Sequence, residues 1–457
     1  MPAGIRLTNF GGIMPRLHPT LLPAAGATRA HNCHLKDGKL SPLKEPAQLA
    51  GIPVQLENGL ARIGGAGTIY LWHYGCGGAL PGDATLLAWP GDVCVAESNL
   101  SQDHLSRLFV TGETGVGNNH PCMYAHDGNE VIRHDLMKQK MPPPEIDAEP
   151  PEDEANERYT VFYQSWIDKF GYESPPSRPS EEVTYNDGQT IGVQPTPAPA
   201  GAVKRRIWKV VSGTQFESIQ FVAEQDVIEG ADFFTYFRFA LKDEDAGEIL
   251  AISAGVPNDL VWVTRVPGDF YVGYCRGNKR EVRFSEAGYP SFWPEDYGYG
   301  VGHDIVGFGV TLNSVFVLTR GMPYVISGTA PDTMNRSVLA SPQGCVSAKS
   351  ICVVEGAVFY ASDDGVCMLQ DGSPNVSVIT DKMFTRPQWQ KLGPRGCRML
   401  ANNSTLFVWF DGQAEGYAIS LKDDTAAAIT THDEVARACC SDPVTDQLYF
   451  VRAGGVA

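Results

Sequence analysis

Short apolar runs centred on β-branched or aromatic residues alternate with polar turns along most of the chain. Seven of the runs are alike: Thr68-Ile-Tyr-Leu-Trp, Arg107-Leu-Phe-Val-Thr, Asp269-Phe-Tyr-Val-Gly, Ser314-Val-Phe-Val-Leu, Ala357-Val-Phe-Tyr-Ala, Thr405-Leu-Phe-Val-Trp and Gln447-Leu-Tyr-Phe-Val. Taking the second residue of each, Ile69 and Leu108 lie 39 residues apart, and Phe270, Val315, Val358, Leu406 and Leu448 follow one another at 45, 43, 48 and 42. Turns and further strand-like stretches come after them, as in Ser362-Asp-Asp-Gly before Val366 and Gln370-Asp-Gly before Val376. Asp-Gly between apolar runs marks a hairpin, because glycine takes the positive φ that a tight turn demands. A four-stranded meander repeated every ~40–45 residues is the pattern of a propeller blade, whose sheet buries both faces only by stacking on its neighbours. Sandwiches place turns every ~8–12 residues with no longer period, so one or two sandwiches are the competing reading. The pattern predicts an all-β fold, a β-propeller of about six to eight blades, with seven at the observed spacing.

Leu108 and Phe270 are 162 residues apart, more than one repeat can fill, so a second body is inserted there. It opens on Met141-Pro-Pro-Pro-Glu-Ile-Asp-Ala-Glu-Pro-Pro-Glu-Asp-Glu, a run expected to form an extended acidic, Pro-rich linker over 141–157. Strand-like stretches at 159–163, 182–185, 190–193, 204–211, 219–223 and 233–237, with Trp208 as the buried-tryptophan candidate, predict a fibronectin type III-like sandwich over 158–240. Lys204-Arg-Arg reads as that sandwich's solvated face. The rest divides into an N-terminal arm with a propeller-closing strand over 1–60, first blades over 61–140 and the remaining blades over 241–457.

Charge narrows the functions that fit. The chain has 36 Lys and Arg against 53 Asp and Glu, a formal −17. An acidic balance repels phosphate, which disfavours sequence-reading nucleic-acid binders and anionic-membrane binders but lets DNA pass without sticking. The opening residues lack a cationic start leading into an apolar stretch, and 18 apolar residues never run together. The expectation is a chain made in a cytosol with no membrane-spanning segment. The 11 Cys are scattered without any Cys-x-x-Cys pair, so free buried thiols are expected, as at Cys352 and Cys367.

Candidate chemistry is sparse. No phosphate loop, nucleophile elbow or His-Glu-x-x-His occurs, and Tyr297-Gly-Tyr-Gly-Val-Gly reads as a loop. His31, Cys33 and His34 offer soft metal ligands, but Cys33 and His34 would face opposite sides of a strand and no further ligand cluster accompanies them. Asp363-Asp364 and Glu295-Asp296 are the paired acids a glycosidase would need. The first pair also suits a hairpin turn, where Asp accepts local backbone bonds. No residue is expected to be catalytic, and no cofactor or metal is expected.

Four stretches carry a resemblance to a known family. They are Ile5-Arg-Leu-Thr-Asn-Phe-Gly-Gly-Ile-Met-Pro-Arg-Leu with Asn32-Cys33 and Gly38-Lys-Leu-Ser-Pro; Tyr172-Glu-Ser-Pro-Pro-Ser-Arg-Pro-Ser-Glu-Glu-Val with Arg205-Arg-Ile-Trp-Lys; Val282-Arg-Phe-Ser-Glu with Phe292-Trp-Pro; and Asp381-Lys-Met-Phe-Thr with Gln388-Trp. In this order they resemble the propeller-containing tail nozzle or hub proteins of tailed bacteriophages and prophages. The resemblance implies a non-enzymatic virion protein, assembled in the host bacterial cytoplasm as a hexameric ring lining the DNA exit channel. Its implied partners are the tail adaptor, portal-proximal proteins and tail fibre or spike proteins, with genomic DNA in transit. Arg6, Asn9, Phe10 and Arg16 of the arm are candidates for contact with a neighbouring subunit or the adaptor; the competing reading makes the arm a strand that closes the propeller. Two other classes stay open: a host-surface glycan or receptor binder, and a propeller polysaccharide hydrolase acting through Asp363 or Glu295.

Overall fold

The computed structural model describes residues 10–36, 39–49, 51–74, 84–98, 103, 105–113, 121–126, 130–136, 142–194, 196–199, 201–212, 217–227, 237–242, 244, 247–250, 255–373, 375–402, 404–421 and 428–452. These residues are overwhelmingly β, with one short α-helix, Arg386–Leu392. They fall into two compact units. One comprises 1–134, 259–283 and 298–457; the other comprises 135–258 and 284–297.

The first unit holds seven successive sheets among its described residues, besides the small hairpin Cys33–Lys36/Lys39–Pro42. The first sheet sets Thr68–His73 against Ala84–Trp89, with Val54–Leu56 added in parallel on the outside. The second begins at Cys94–Glu97 and continues through Leu108–Thr111, Cys122–His126 and Val131–Asp135. Four four-stranded meanders follow, starting at Leu260–Val266, Ile305–Val310, Cys352–Val354 and Cys397–Asn402. The seventh is the pair Ala436–Ser441 and Leu448–Arg452. From the second sheet to the seventh, each opening strand packs beside the next, and Ala436–Ser441 packs beside Thr68–His73 of the first. The first and second sheets meet through Trp72, Leu87 and Trp89 against Leu108, Val110, Cys122 and Tyr124. The succession therefore closes on itself in a β-propeller-like arrangement.

The repeated run in the sequence has a physical source here. Leu108, Phe270, Val315, Val358, Leu406 and Leu448 all lie on the second strand of their sheets. Such a strand is covered by neighbouring sheets on both faces, so every position selects an apolar residue. Val315–Thr319 and Ala357–Ala361 are buried throughout. Ile69 departs from this: it lies on the first strand of its sheet, and the fully buried middle strand there is Ala84–Trp89. Gly298–Gly300, read as loop from its glycines, pairs with Glu281–Arg283 as an outer strand.

Besides a short pair, Arg158–Thr160 with Val183–Tyr185, the second unit has two small facing sheets. One orders Ile146–Asp147, Gln189–Val193 and Phe237–Leu241, and the other orders Phe162–Asp168, Ala202–Ser212 and Glu217–Asp226. Phe162, Ile191, Val193, Ile207 and Leu241 fill the space between them. Two sequence expectations are corrected in this unit and a third, the burial of Trp208, is met. The acidic, Pro-rich run is bound in place: Ile146–Asp147 pairs with Gly192 and Val193, Ala148 packs on the core, and Gln189 and Asn186 bond to the carbonyls of Glu149 and Asp153. Trp208 is buried, but on the face opposite Ile207, where it donates to Ser165 Oγ at 2.7 Å. Lys204-Arg-Arg is split by strand alternation: Arg206 meets Glu173, Glu224 and Glu248 outside, while Arg205 is only 2% exposed. The strand expected at 233–237 lies, except for Phe237, outside the described residues.

Candidate functional site

The N-terminal arm lies along the outer edge of the sixth sheet. That edge is Ala428–His432, whose other side is satisfied by Gly416–Ser420. Ile13 donates to the Ile429 carbonyl at 2.8 Å, Asn32 donates to Thr431 at 2.7 Å, and Thr431 returns a bond to Ala30 at 2.9 Å. An open edge invites pairing with foreign strands, and the arm covers this one. Gly12 makes the approach possible: at φ +78° it stands where a Cβ would come within 2.6 Å of the Ile429 backbone nitrogen and oxygen.

Beyond the edge, the arm meets the segment around the α-helix. Thr385 caps this helix reciprocally with Gln388, and Gly393 ends it at φ +81°. Trp389 is thereby set into the core, donating to the Ser362 carbonyl at 2.8 Å. Gln388 also donates to the Pro15 carbonyl at 2.8 Å, the Arg16 amide donates to Met383 at 2.9 Å, and the Arg16 guanidinium donates to the Asp381 carbonyl. Thus two of the stretches that carry the resemblance, the arm and Asp381–Trp389, are partners in space. Sequence reasoning found both and did not join them, because no local pattern links positions so far apart.

Of the four arm candidates, Phe10 is half-buried against the core shared by the fifth and sixth sheets, and Arg16 is exposed but tied to Asp381. Arg6 and Asn9 lie outside the described residues. His31 does not join Cys33 and His34. Its Nε2 meets Asp433 at 2.8 Å, its Nδ1 meets Thr431 Oγ1 at 2.9 Å, and Glu415 completes a group of three ligand-type atoms within 4.8 Å. The Asn32 amide, together with His31, holds the Asp433 carboxyl below the usual range. This cluster pins the arm by ordinary hydrogen bonds.

The ring seam between first and last sheets carries a second His–Asp contact. His73 Nε2 lies 2.9 Å from Asp442 Oδ1. Burial pushes the Asp442 carboxyl up, but bonds from Thr445, the Val444 amide and His73 outweigh it and leave the group below the usual range. On the axial side, Lys349 precedes the opening strand of the fifth sheet and Asp92 precedes that of the second. Their side chains meet at 2.5 Å, an ion pair between two sheets that are not neighbours in the ring.

The paired acids belong to different units. Asp363 and Asp364 occupy the expected hairpin turn, and Asp364 is engaged by Arg386 and Gln343 at 2.9 and 2.8 Å. Glu295 and Asp296 lie in a single 3-10 turn assigned to the other unit. The ten described cysteines are free, and burial pushes several of their thiols up, Cys94, Cys352 and Cys439 to about 12. No helix among the described residues is long and apolar enough to cross a membrane.

No protein-family model matches this chain, and no curated protein does. Among solved structures it is similar to Hsv2 of Kluyvelomyces marxianus, at 7% identity and TM-score 0.26 over 51% of this chain and 58% of that one. It is similar to a quinonprotein alcohol dehydrogenase-like protein from Bacteroides thetaiotaomicron, at 10% and 0.32 over 69% and 77%. A third is the WD40 domain of Toxoplasma gondii coronin, at 8% and 0.30 over 82% and 79%. The chain spans less than two thirds of the Hsv2 chain. Likenesses this faint say nothing of function, and the propeller-like arrangement stands on strand order and packing.

Proposed function

We propose that this chain is a structural subunit of a bacteriophage tail, a seven-bladed propeller with an inserted sandwich, whose copies stand side by side in a ring around the DNA path. The observation that carries the reading is the fit between the arm and Asp381–Trp389 through Arg16 and Gln388. These stretches resemble the nozzle or hub proteins, and their mutual bonds give the resemblance a structural purpose. Further support comes from the Lys349–Asp92 pair, which ties two sheets of the single chain that are not neighbours in the ring. DNA would therefore run between copies, along a wall whose −17 charge keeps phosphates from sticking. A head-to-tail interface that closes by rotation makes such a ring.

The inserted unit supports the fibronectin-like half of the reading. Its sheets follow the A-B-E and F-C-C′ neighbour relations of immunoglobulin-type sandwiches, if Phe162–Asp168 is taken as strand F displaced ahead of B in the chain. It offers a module for the adaptor or a fibre, and the protein belongs to the virion with no enzymatic step of its own. Native mass spectrometry and negative-stain microscopy of the purified full chain test the reading. A closed six-fold ring is expected. A monomer at all concentrations, or release of sugar from host envelopes, overturns it.

A further inference from the structure

The seam between the first and second sheets sets one buried and one half-buried carboxylate around one hydroxyl. Glu113, fully buried, receives Trp89 Nε1 at 2.8 Å, the Tyr124 hydroxyl at 2.6 Å and Arg133 at 3.0 and 3.2 Å. These donors define it as the ionised member. The same Tyr124 oxygen lies 3.2 Å from Glu57 Oε2, and Glu57 Oε1 is shielded from solvent with no hydrogen-bond partner. A phenol has one hydrogen, and the short contact to Glu113 takes it. The remaining contact joins two oxygens, and a protonated Glu57 can supply its hydrogen.

We propose that Glu57 is the protonated end of a relay, Glu57 to Tyr124 to Glu113, and that this relay is a proton-operated latch on the outer strand Val54–Leu56. Glu57 directly follows that strand and donates its amide to the Ala88 carbonyl at 2.8 Å. The strand is attached to its sheet on one side only, so the side-chain relay is its second fastening. Among the described residues, the charged or titratable groups facing Glu57 are Glu113, Tyr124 and Arg133; Arg133 is engaged by Glu113. Burial pushes the Glu57 carboxyl above its ordinary value, a side-chain bond from Gln55 partly opposes this, and the Glu113 charge adds to it. An acid whose folded value is raised holds the fold below its unfolded value and releases it as pH rises through the folded one. Ionised Glu57 would then confront Glu113 across a single hydroxyl, and the latch opens. This inference stands independently of any ring of subunits.

Hydrogen exchange of the full chain tests it, read at the amides of Val54 to Glu57 at pH 5.5 and 8.5 after correction for intrinsic exchange. The wild type is expected to lose protection by about tenfold more than Glu57→Gln across that interval. Equal loss in both chains overturns the latch, as does a Glu57 carboxyl seen by carbon NMR to titrate at the ordinary carboxylate value. Tyr124→Phe keeps the ring and removes the shared hydroxyl. It is expected to show at pH 5.5 the weak protection that the wild type shows at pH 8.5, and unchanged protection in this variant also overturns the proposal.

Discussion

Glu113 in the ring unit and Arg205 in the sandwich unit are both buried charges, held in opposite ways. Glu113 has a cation, Arg133, and two neutral donors drawn from both sheets of a seam. Burial pushes its carboxyl up, yet Tyr124, Arg133 and Trp89 together hold it below the usual range. Arg205 has neutral acceptors only: Gln164 Oε1 at 2.8 Å, the Gln194 carbonyl at 2.9 Å and Thr196 Oγ1 at 3.2 Å, with the Trp166 ring 5.6 Å from the guanidinium carbon. Burial alone brings its pKa down to about 10. The first arrangement staples two sheets; the second gathers the end of one sandwich, since Gln164 passes the linkage on to the Pro142 carbonyl. A buried charge with a counter-charge is costly to break, whereas one solvated by dipoles has less to lose.

The difference is open to direct measurement. Arg133→Met strands Glu113 and should cost about 3–5 kcal/mol by urea denaturation, with exchange accelerating first in Leu108–Thr111 and Cys122–His126. Arg205→Met abandons three acceptors but removes an uncompensated charge, so about 1–2 kcal/mol is expected, confined to amides of the sandwich. Equal costs for the two variants would erase the distinction. Trp89→Phe shrinks a fully buried ring and deletes one of four bonds to Glu113, for about 1–2 kcal/mol. The smallest effect is in pH. Glu113, depressed in the fold, contributes stability that is present above its unfolded value and lost as pH falls through the folded one. An acid titration of unfolding should lose that component in Glu113→Gln and retain it in Arg205→Met.

The ring was legible in the sequence where burial leaves no choice. Second strands such as Val315–Thr319 are buried throughout and mostly apolar, so they recur as a visible period. The first sheet was misphased because Thr68–His73 carries the same kind of run, while its true middle strand, Ala84–Trp89, was passed over. Arg205 and Trp166 escaped because a strand pattern gives alternation but not phase, and three consecutive basic residues look solvated until one is known to point inward. Glu57, Glu113 and Tyr124 were invisible for another reason. They come from separate turns and strands, and only the packing of one sheet on the next brings them within reach of a shared proton.

The arm's position also sets a timetable. Thr431 takes its partners Ala30 and His31 from about 400 residues upstream. At about 5–20 residues per second, a ribosome needs roughly 20–80 s to deliver the second half of that bond after the first. During synthesis the opening segment must therefore wait without its own edge, available to chaperones or to a sister polypeptide on the same message. The emergence of Ala428–His432 decides when that wait ends.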